Sequence, residues 1–299
     1  MSPLQHSDPH KESVLTVSAG SMLIFGAICF IAAILLSAPD PLHAQDGDPA
    51  SMNDEQLVDA LMQASGFDSS LLDVWYGIRD SIDDEQELNP DQAVKVQNLL
   101  RSGFYGERLV EQYRSNLQAR LDRSYAVSII VFLQSDTGQH ILEYETRESN
   151  ATDAELQDFA SSFDPQDDTN SVRIDLVQTL MSETRALENT ASILHALYSN
   201  LLLTANAAEN PPDERMSEQE FKSTSEMIRA QLDQQIGQYI LISMLYTFRD
   251  ANIEYLEKYA EHLRSESGRW YTSTLHDILI DVLEDAHKTV INEIRLTDS

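Results

Sequence analysis

The sequence predicts an all-α protein made of two similar helical lobes behind an N-terminal apolar export segment. Apolar residues recur at helical spacing through most of the chain after residue 50. The stretches Leu133–Gly138 and Leu263–Gly268, 130 residues apart, share Leu, Ser and Gly in the same places, which indicates an internal duplication. The expected domains are a signal peptide or membrane anchor over residues 1–44, a first lobe over 45–164 and a second lobe over 165–299.

The composition excludes several classes of function. The chain has 50 acidic and 20 basic residues, a net charge of −30, and such a surface repels the phosphates of nucleic acids. Hydrophobic residues make up 42% of the chain, too many for a disordered polyanion. The single cysteine, Cys29, lies in the N-terminal apolar stretch, so the rest of the chain has no thiol for a disulfide, a zinc–thiolate site or a nucleophile.

The N-terminal stretch is typical of an export signal. Val14 to Ala38 is 25 residues without a charge, and a polar stretch with two prolines follows it. The segment is either cut after Ala44 or kept as a membrane anchor, because 25 residues suffice to span a bilayer of about 30 Å. In both cases Lys11 stays inside and the acidic part of the chain reaches the periplasmic side.

The first lobe opens with a helix that Asn53 caps and that runs to about Gly66, followed by an amphipathic segment over Leu71–Ile78. Asn89 and Pro90 form a cap and first turn for the next helix.

Further along this lobe, we expect a helix break near Gly103. The β-branched run Val127–Val131 has the propensity of a strand, but no partner strand is visible, so we interpret it as a buried helix. Thr152 and Glu155 form a capping box for a short helix, and Asp164–Asp168 is the most linker-like stretch of the exported chain.

The second lobe repeats features of the first. The pairs Leu176-Val177 and Leu180-Met181 repeat Leu57-Val58 and Leu61-Met62 at an offset of 119 residues. The hexapeptides repeat at an offset of 130, and we assign the 11 extra residues to a loop around Ala205–Arg215. Long amphipathic helices are expected after this loop: from Met216 to Phe248, from Ile253 to Leu263 and from Trp270 to Ile294.

Each hexapeptide predicts a corner between two helices. Ser135 and Ser265 are expected to cap the helices that follow. Gly138 and Gly268 are expected at or just after the ends of the preceding helices, in the left-handed conformation that glycine adopts without a side-chain clash. The leucines that open the two hexapeptides should be buried beside the corners.

Several segments resemble the bacterial family catalogued as domain of unknown function 2059. The resemblance covers roughly residues 55–290 and is carried by Leu133–Gly138 with Gln139 behind it, Arg173–Leu180, and Tyr255–Tyr259 leading to Ser265–Arg269. It implies an exported, all-helical bacterial protein and brings no reaction and no agreed catalytic residues. Family members often have proline after the Ser of the turn, where this chain has Asp136 and Glu266, a departure that leaves the capping role intact.

Glu284 and His287 have the Glu-x-x-His spacing that places two metal ligands on one helix face. Di-iron bundles need two such motifs and two further carboxylates, and no second copy is present. We therefore favour a solvated helix surface and predict no cofactor, with Glu284 and His287 as weak metal candidates.

Two other histidines near carboxylates could likewise be either functional groups or ordinary surface residues. His140 and Glu143 are one helical turn apart and could exchange a proton, although no nucleophile is framed nearby, so a surface or interfacial pair is favoured. His276 with Asp277 and Asp281 could bind a metal from one helix, but chance proximity explains them as well.

Trp270 and Tyr271 follow the second corner, and packing between helices is favoured for them over the lining of a ligand groove. No residue is predicted to be catalytic. The favoured function is a non-catalytic structural or interaction module whose partner is an unknown envelope protein. The alternative is a metal-binding or hydrolytic bundle that uses Glu284 and His287. The oligomeric state stays open.

Overall fold

The computed structural model describes residues 48–65, 71–72, 82, 89–148 and 151–298, and these residues form helices with no strand among them. The predicted all-α class is confirmed. After a 3-10 turn at Pro49–Ser51, the helices with both ends described are α1 Asp54–Ser65, α2 Pro90–Phe104, α3 Gly106–Ala119, α4 Arg123–Leu133, α5 Asp136–Glu148, α6 Asp153–Ser162, α7 Asp168–Glu183, α8 Ala186–Glu209, α9 Glu218–Thr247, α10 Ile253–Arg264 and α11 Glu266–Thr297. The predicted export segment and most of Leu71–Ile78 lie outside the described residues.

Local capping explains where the early helices begin. At each start, the side chain of the capping residue accepts a hydrogen bond from the backbone N–H three residues ahead. The side chain of that later residue accepts a hydrogen bond from the backbone N–H of the capping residue. These reciprocal bonds join Asn53 to Gln56, Asn89 to Gln92, and Thr152 to Glu155. The predicted starts of α1, α2 and α6 are confirmed.

The run Val127–Val131 lies inside α4, so its interpretation as a helix is confirmed. Its burial is confined to one face: Ile129 and Ile130 are buried, whereas Val131 is 53% exposed. The loop after α8 is shorter than expected, because α8 continues through Ala205 to Glu209 before the chain breaks at Asn210.

The long helix α11 lies at the centre of the fold. Its 32 residues span about 48 Å, and it packs against α2, α3, α4, α8 and α10. The contact with α2 is close at Gly103, where a Cβ would lie 2.4 Å from the carbonyl oxygen of Ala286. The buried apolar side chains of residues 52–294 form one continuous cluster that draws on both predicted lobes.

A buried arginine fastens α7 to the end of α9. Arg173 is 7% exposed, and its guanidinium donates hydrogen bonds to the carbonyl oxygens of Phe248 and, at 2.8 Å, Ala251. These carbonyls follow the last turn of α9 and have no partner within that helix. Arg173 therefore supplies donors where a helix end is buried.

Within the described part of the chain, no helix is both long enough and apolar enough to cross a membrane.

Candidate functional site

Two helical hairpins in different halves of the chain begin their helices at equivalent positions. The first hairpin is α4 with α5, and the second is α10 with the start of α11. Asp122 and Asn252 cap their first helices, and Ser135 and Ser265 occupy their corners. The offset is 130 residues at each of these positions, so the starts of two consecutive helices correspond between the two hairpins.

The corner serines accept hydrogen bonds at the starts of α5 and α11. The N–H of Gly138 donates to Ser135 Oγ at 3.2 Å, and the N–H of Gly268 donates to Ser265 Oγ at 3.0 Å. Each serine thereby satisfies one of the N–H groups that the first turn of a helix leaves without a carbonyl partner.

The expected position of the two glycines is wrong. Gly138 and Gly268 lie in the first turns of α5 and α11, not at the ends of the preceding helices, and neither has a left-handed backbone. Glycine is needed because the two helices of each hairpin approach closely. A Cβ at either position would lie 2.2 Å from a backbone carbonyl oxygen, that of Phe132 in one hairpin and His262 in the other.

The leucines beside the corners differ in burial. Leu263 is 3% exposed, as expected, whereas Leu133 is only half-buried, which corrects the expectation for the first corner.

The two hairpins contact each other through equivalent ring pairs. The ring of Tyr125 lies 5.9 Å from that of Trp270, and the ring of Tyr255 lies 4.6 Å from that of His140. Tyr125 is equivalent to Tyr255, and His140 to Trp270. Each hairpin therefore offers the same two positions to the other, as the subunits of a twofold dimer do.

The tyrosine hydroxyl groups repeat this relation. Tyr255 donates a hydrogen bond to the Asp136 carboxylate at 3.0 Å, and Tyr125 donates one to the Glu266 carboxylate at 3.5 Å. Asp136 and Glu266 are the first residues of α5 and α11. A carboxylate at this place also interacts favourably with the positive end of the helix dipole.

Equivalent residues meet where the two hairpins cross. The rings of Phe132 and His262 are parallel within 3° with centroids 3.7 Å apart, and the ring of Tyr259 lies 6.1 Å from Phe132. His262 Nε2 is buried without a hydrogen-bond partner. Burial lowers the pKa of His262 to about 4, so the ring is neutral at pH 7.

The weak metal candidates do not form a site. The carboxylate of Glu284 is exposed and lies 3.7 Å from Lys288 Nζ, whereas His287 Nδ1 lies 2.9 Å from Asn200 Oδ1 on α8. Among the residues that the structure describes, no three His, Cys, Asp or Glu side chains are grouped to hold a metal.

His276 makes the same type of contact as His287, one to Asn189 Oδ1 on α8. The two His–Asn bridges are 11 residues apart on both helices and fasten α8 to α11. Asp281 pairs with Arg120, and Asp277 is exposed.

The two side chains of the proposed proton-exchanging pair, His140 and Glu143, have different surroundings. His140 Nδ1 lies 2.7 Å from the backbone oxygen of Asp136, and its ring packs on Tyr255, while Glu143 is exposed. Trp270 is half-buried and packs against the core and Tyr125, in keeping with the packing interpretation.

Sequence reasoning missed a buried serine–histidine contact between α8 and α9. His195 Nε2 lies 2.8 Å from Ser225 Oγ, which lies 2.8 Å from Ser199 Oγ. Burial and the charge of Arg229 lower the pKa of His195, which favours the neutral form. Ser225 is buried within α9, where the backbone N–H groups bond along the helix and cannot form an oxyanion hole. The contact therefore packs α8 against α9. The polar residues on one face of α8 were the feature of the sequence from which this contact could have been predicted.

These features define an all-helical protein in which two equivalent hairpins pair reciprocally. No family model, no curated protein and no solved structure matches the chain.

Proposed function

We propose that the protein is a non-catalytic helical interaction module on the periplasmic side of the bacterial inner membrane. The observation that supports this proposal is the use of its ionisable side chains to join helices. His276 and His287 bridge α11 to α8, Arg173 fastens α7 to the end of α9, and Tyr255 joins α10 to α5. Side chains engaged in this way build a rigid framework, which suits a protein that presents a surface to a partner.

Two similar helical lobes derived by internal duplication belong to the same proposal. The reciprocal contacts of the two hairpins support it, as does the offset of 130 residues shared by both caps and both corners. The proposed resemblance to domain of unknown function 2059 gives the same picture of an exported, all-helical protein.

Export by the segment Val14–Ala38 is part of the proposal and has its own test. Mass spectrometry of the mature N-terminus distinguishes cleavage after Ala44 from retention of the anchor. A chain found wholly in the cytoplasm would contradict both.

Site-specific photo-crosslinking in living cells tests the interaction role. Val131 on α4 and Val94 on α2 are apolar yet 53% and 56% exposed, which makes them suitable positions for a photoreactive residue. Glu143, an exposed residue of α5, is the control. We expect a discrete protein adduct from at least one of the apolar positions and none from Glu143. The absence of any adduct, or the same adducts at all three positions, would contradict the proposal.

A further inference from the structure

The first half of α9 is held to the protein by less buried surface than the second half. We call residues 218–231 the arm of α9, and Ser225 is the only buried residue in this segment, all of which is described. After the arm, the large buried side chains of α9 are apolar: Leu232, Ile236, Ile240, Met244, Leu245 and Phe248. The arm therefore relies on half-buried side chains and on polar contacts with its neighbours.

Two histidines supply contacts of this kind. On α8, His195 Nε2 lies 2.8 Å from Ser225 Oγ, and Ser199 Oγ lies 2.8 Å from the same hydroxyl oxygen. One turn earlier in the arm, the ring of Phe221 lies parallel within 13° to that of His287 on α11, with the centroids 6.3 Å apart. One histidine thus holds the arm on α8, and the other holds it on α11.

The tautomer of His287 is fixed by Asn200. The side-chain amide of Asn200 donates a hydrogen bond to the carbonyl oxygen of Ala196 at 2.7 Å, so its Oδ1 accepts the N–H of His287 Nδ1 at 2.9 Å. A further proton on His287 must therefore go to Nε2, and it gives the ring a positive charge. Because Asn200 follows Ser199 on α8, the two histidines contact adjacent residues and belong to one cluster.

The surroundings of both rings oppose a positive charge. Burial lowers the pKa of His195, and the charge of Arg229 on α9 lowers it further, while Asp233 on the same helix acts in the opposite direction. Arg229 and Asp233 pair with each other at 3.3 Å. Burial also lowers the pKa of His287, and the charge of His195 adds to this effect. Each histidine therefore makes a proton on the other less favourable.

Charged residues on the other surrounding helices do not offset this cost. Arg108 on α3 donates to the hydroxyl group two residues after His287, and Lys95 on α2 donates to a carbonyl oxygen near the end of α8. Both are cations. The carboxylates beside His287 on α11 are exposed and pair with Lys288, and at the corner with α7 Arg185 pairs with the carboxylate two turns before His195.

We propose that the arm is an acid-sensitive element: His195 and His287 hold it on α8 and α11 while both rings are neutral, and it separates from these helices when both rings take up protons. In the separated state both rings meet water and bind a proton at about pH 6.5. The closed state resists protonation, so it is fully favoured above this pH and loses stability as the pH falls below it. Separation exposes the face of α8 that carries His195 and Ser199. The inference goes beyond the proposed interaction role, because the change needs no partner protein.

Hydrogen–deuterium exchange of the full-length chain at pH 7 and pH 5, corrected for the intrinsic rate of amide exchange at each pH, tests the proposal. A histidine that is neutral in the closed state and charged in the separated state multiplies the opening constant by up to about ten per pH unit. We therefore expect the protection of the arm to fall roughly tenfold or more between pH 7 and pH 5. Residues 239–248, at the apolar end of the same helix, are the internal control and should keep their protection.

A double variant with His195→Gln and His287→Asn distinguishes the two histidines from the other titrating groups. The new amides place an N–H near the ring nitrogens that they replace but take up no proton, so the protection of the arm should be the same at both pH values. His140→Asn is the matched control and should respond as the wild type does, because His140 also bonds through Nδ1 but lies on α5.

Three results would each overturn the proposal. The first is equal protection of the wild-type arm at pH 7 and pH 5, and the second is an equal loss of protection across residues 239–248. Both are measured on the wild type alone, so they decide the matter even where the double variant does not fold. The third is a loss in the double variant as large as that in the wild type.

Discussion

Replacing Glu145 with Gln should stabilise the protein at pH 8 and change it little at pH 4. Burial of part of the side chain raises the pKa of this carboxyl from 4.5 to about 8 in the folded protein. Below pH 4.5 the group is protonated in both the folded and the unfolded chain. As the pH rises from 4.5 to 8, the unfolded chain loses the proton while the folded chain holds it, so the wild type loses stability across this window. Glutamine does not titrate and escapes the loss.

The size of the effect follows from the shift in pKa. A difference of 3.5 pH units between 4.5 and 8 corresponds to about 5 kcal/mol as an upper limit. The side chain is half-buried, and water and local relaxation screen its charge, so we expect about 2 kcal/mol at pH 8. For a chain of this size, that corresponds to an increase in Tm of roughly 4–8 °C.

Urea unfolding at pH 4, 6, 7 and 8 measures the difference between Glu145→Gln and wild type directly. Glu143→Gln is again the control, and its difference from wild type should be small at every pH because Glu143 is exposed. The contribution of other titrating groups cancels in the comparison. A difference for Glu145→Gln that stays constant from pH 4 to pH 8, or a variant less stable than wild type at pH 8, would refute the reasoning.

Three further changes test other parts of the structure. The wild type should lose about 2 kcal/mol of stability as the pH falls from 6.5 towards 4, because the unfolded chain protonates His262 while the folded protein keeps the ring neutral. His262→Phe should remove this loss. Urea unfolding of both proteins at pH 7 and pH 4.5 measures the loss, and a loss of equal size in both would contradict the prediction. Gly138→Ala and Gly268→Ala should each cost at least about 2 kcal/mol, because the new Cβ meets a carbonyl oxygen of the preceding helix. The matched change Gly237→Ala, with nothing within 4 Å, should stabilise by up to about 1 kcal/mol, so equal melting temperatures for all three would exclude the close-approach explanation. Arg173→Met should cost about 2 kcal/mol in thermal or urea unfolding, since the buried carbonyl oxygen of Ala251 loses its donor and that of Phe248 keeps only the N–H of Ala251. An unchanged Tm would show that water replaces the guanidinium.

The helices could be predicted from the sequence where their determinants are local. Asn53, Asn89 and Thr152 each have the side chain and the partner three residues ahead that start a helix, and all three starts are confirmed. The glycines show the limit of this reasoning. A left-handed backbone and a close approach of two helices both require the absence of Cβ, and only the packing of α4 on α5 and of α10 on α11 distinguishes them.

The contacts between the two hairpins were less accessible than the helices, because none of their residues forms a recognisable motif. Tyr255 is one of 11 tyrosines, and His262 is one of eight histidines. The available signal was comparative, since aligning residues 122–145 with 252–275 at the 130-residue offset places His262 opposite Phe132 and Tyr255 opposite Tyr125. The alignment shows which positions correspond, but only the folded chain shows that the rings of Phe132 and His262 stack on each other and that Tyr255 donates a hydrogen bond to Asp136. Contacts between residues more than 100 positions apart depend on the packing of whole helices, which no local pattern records.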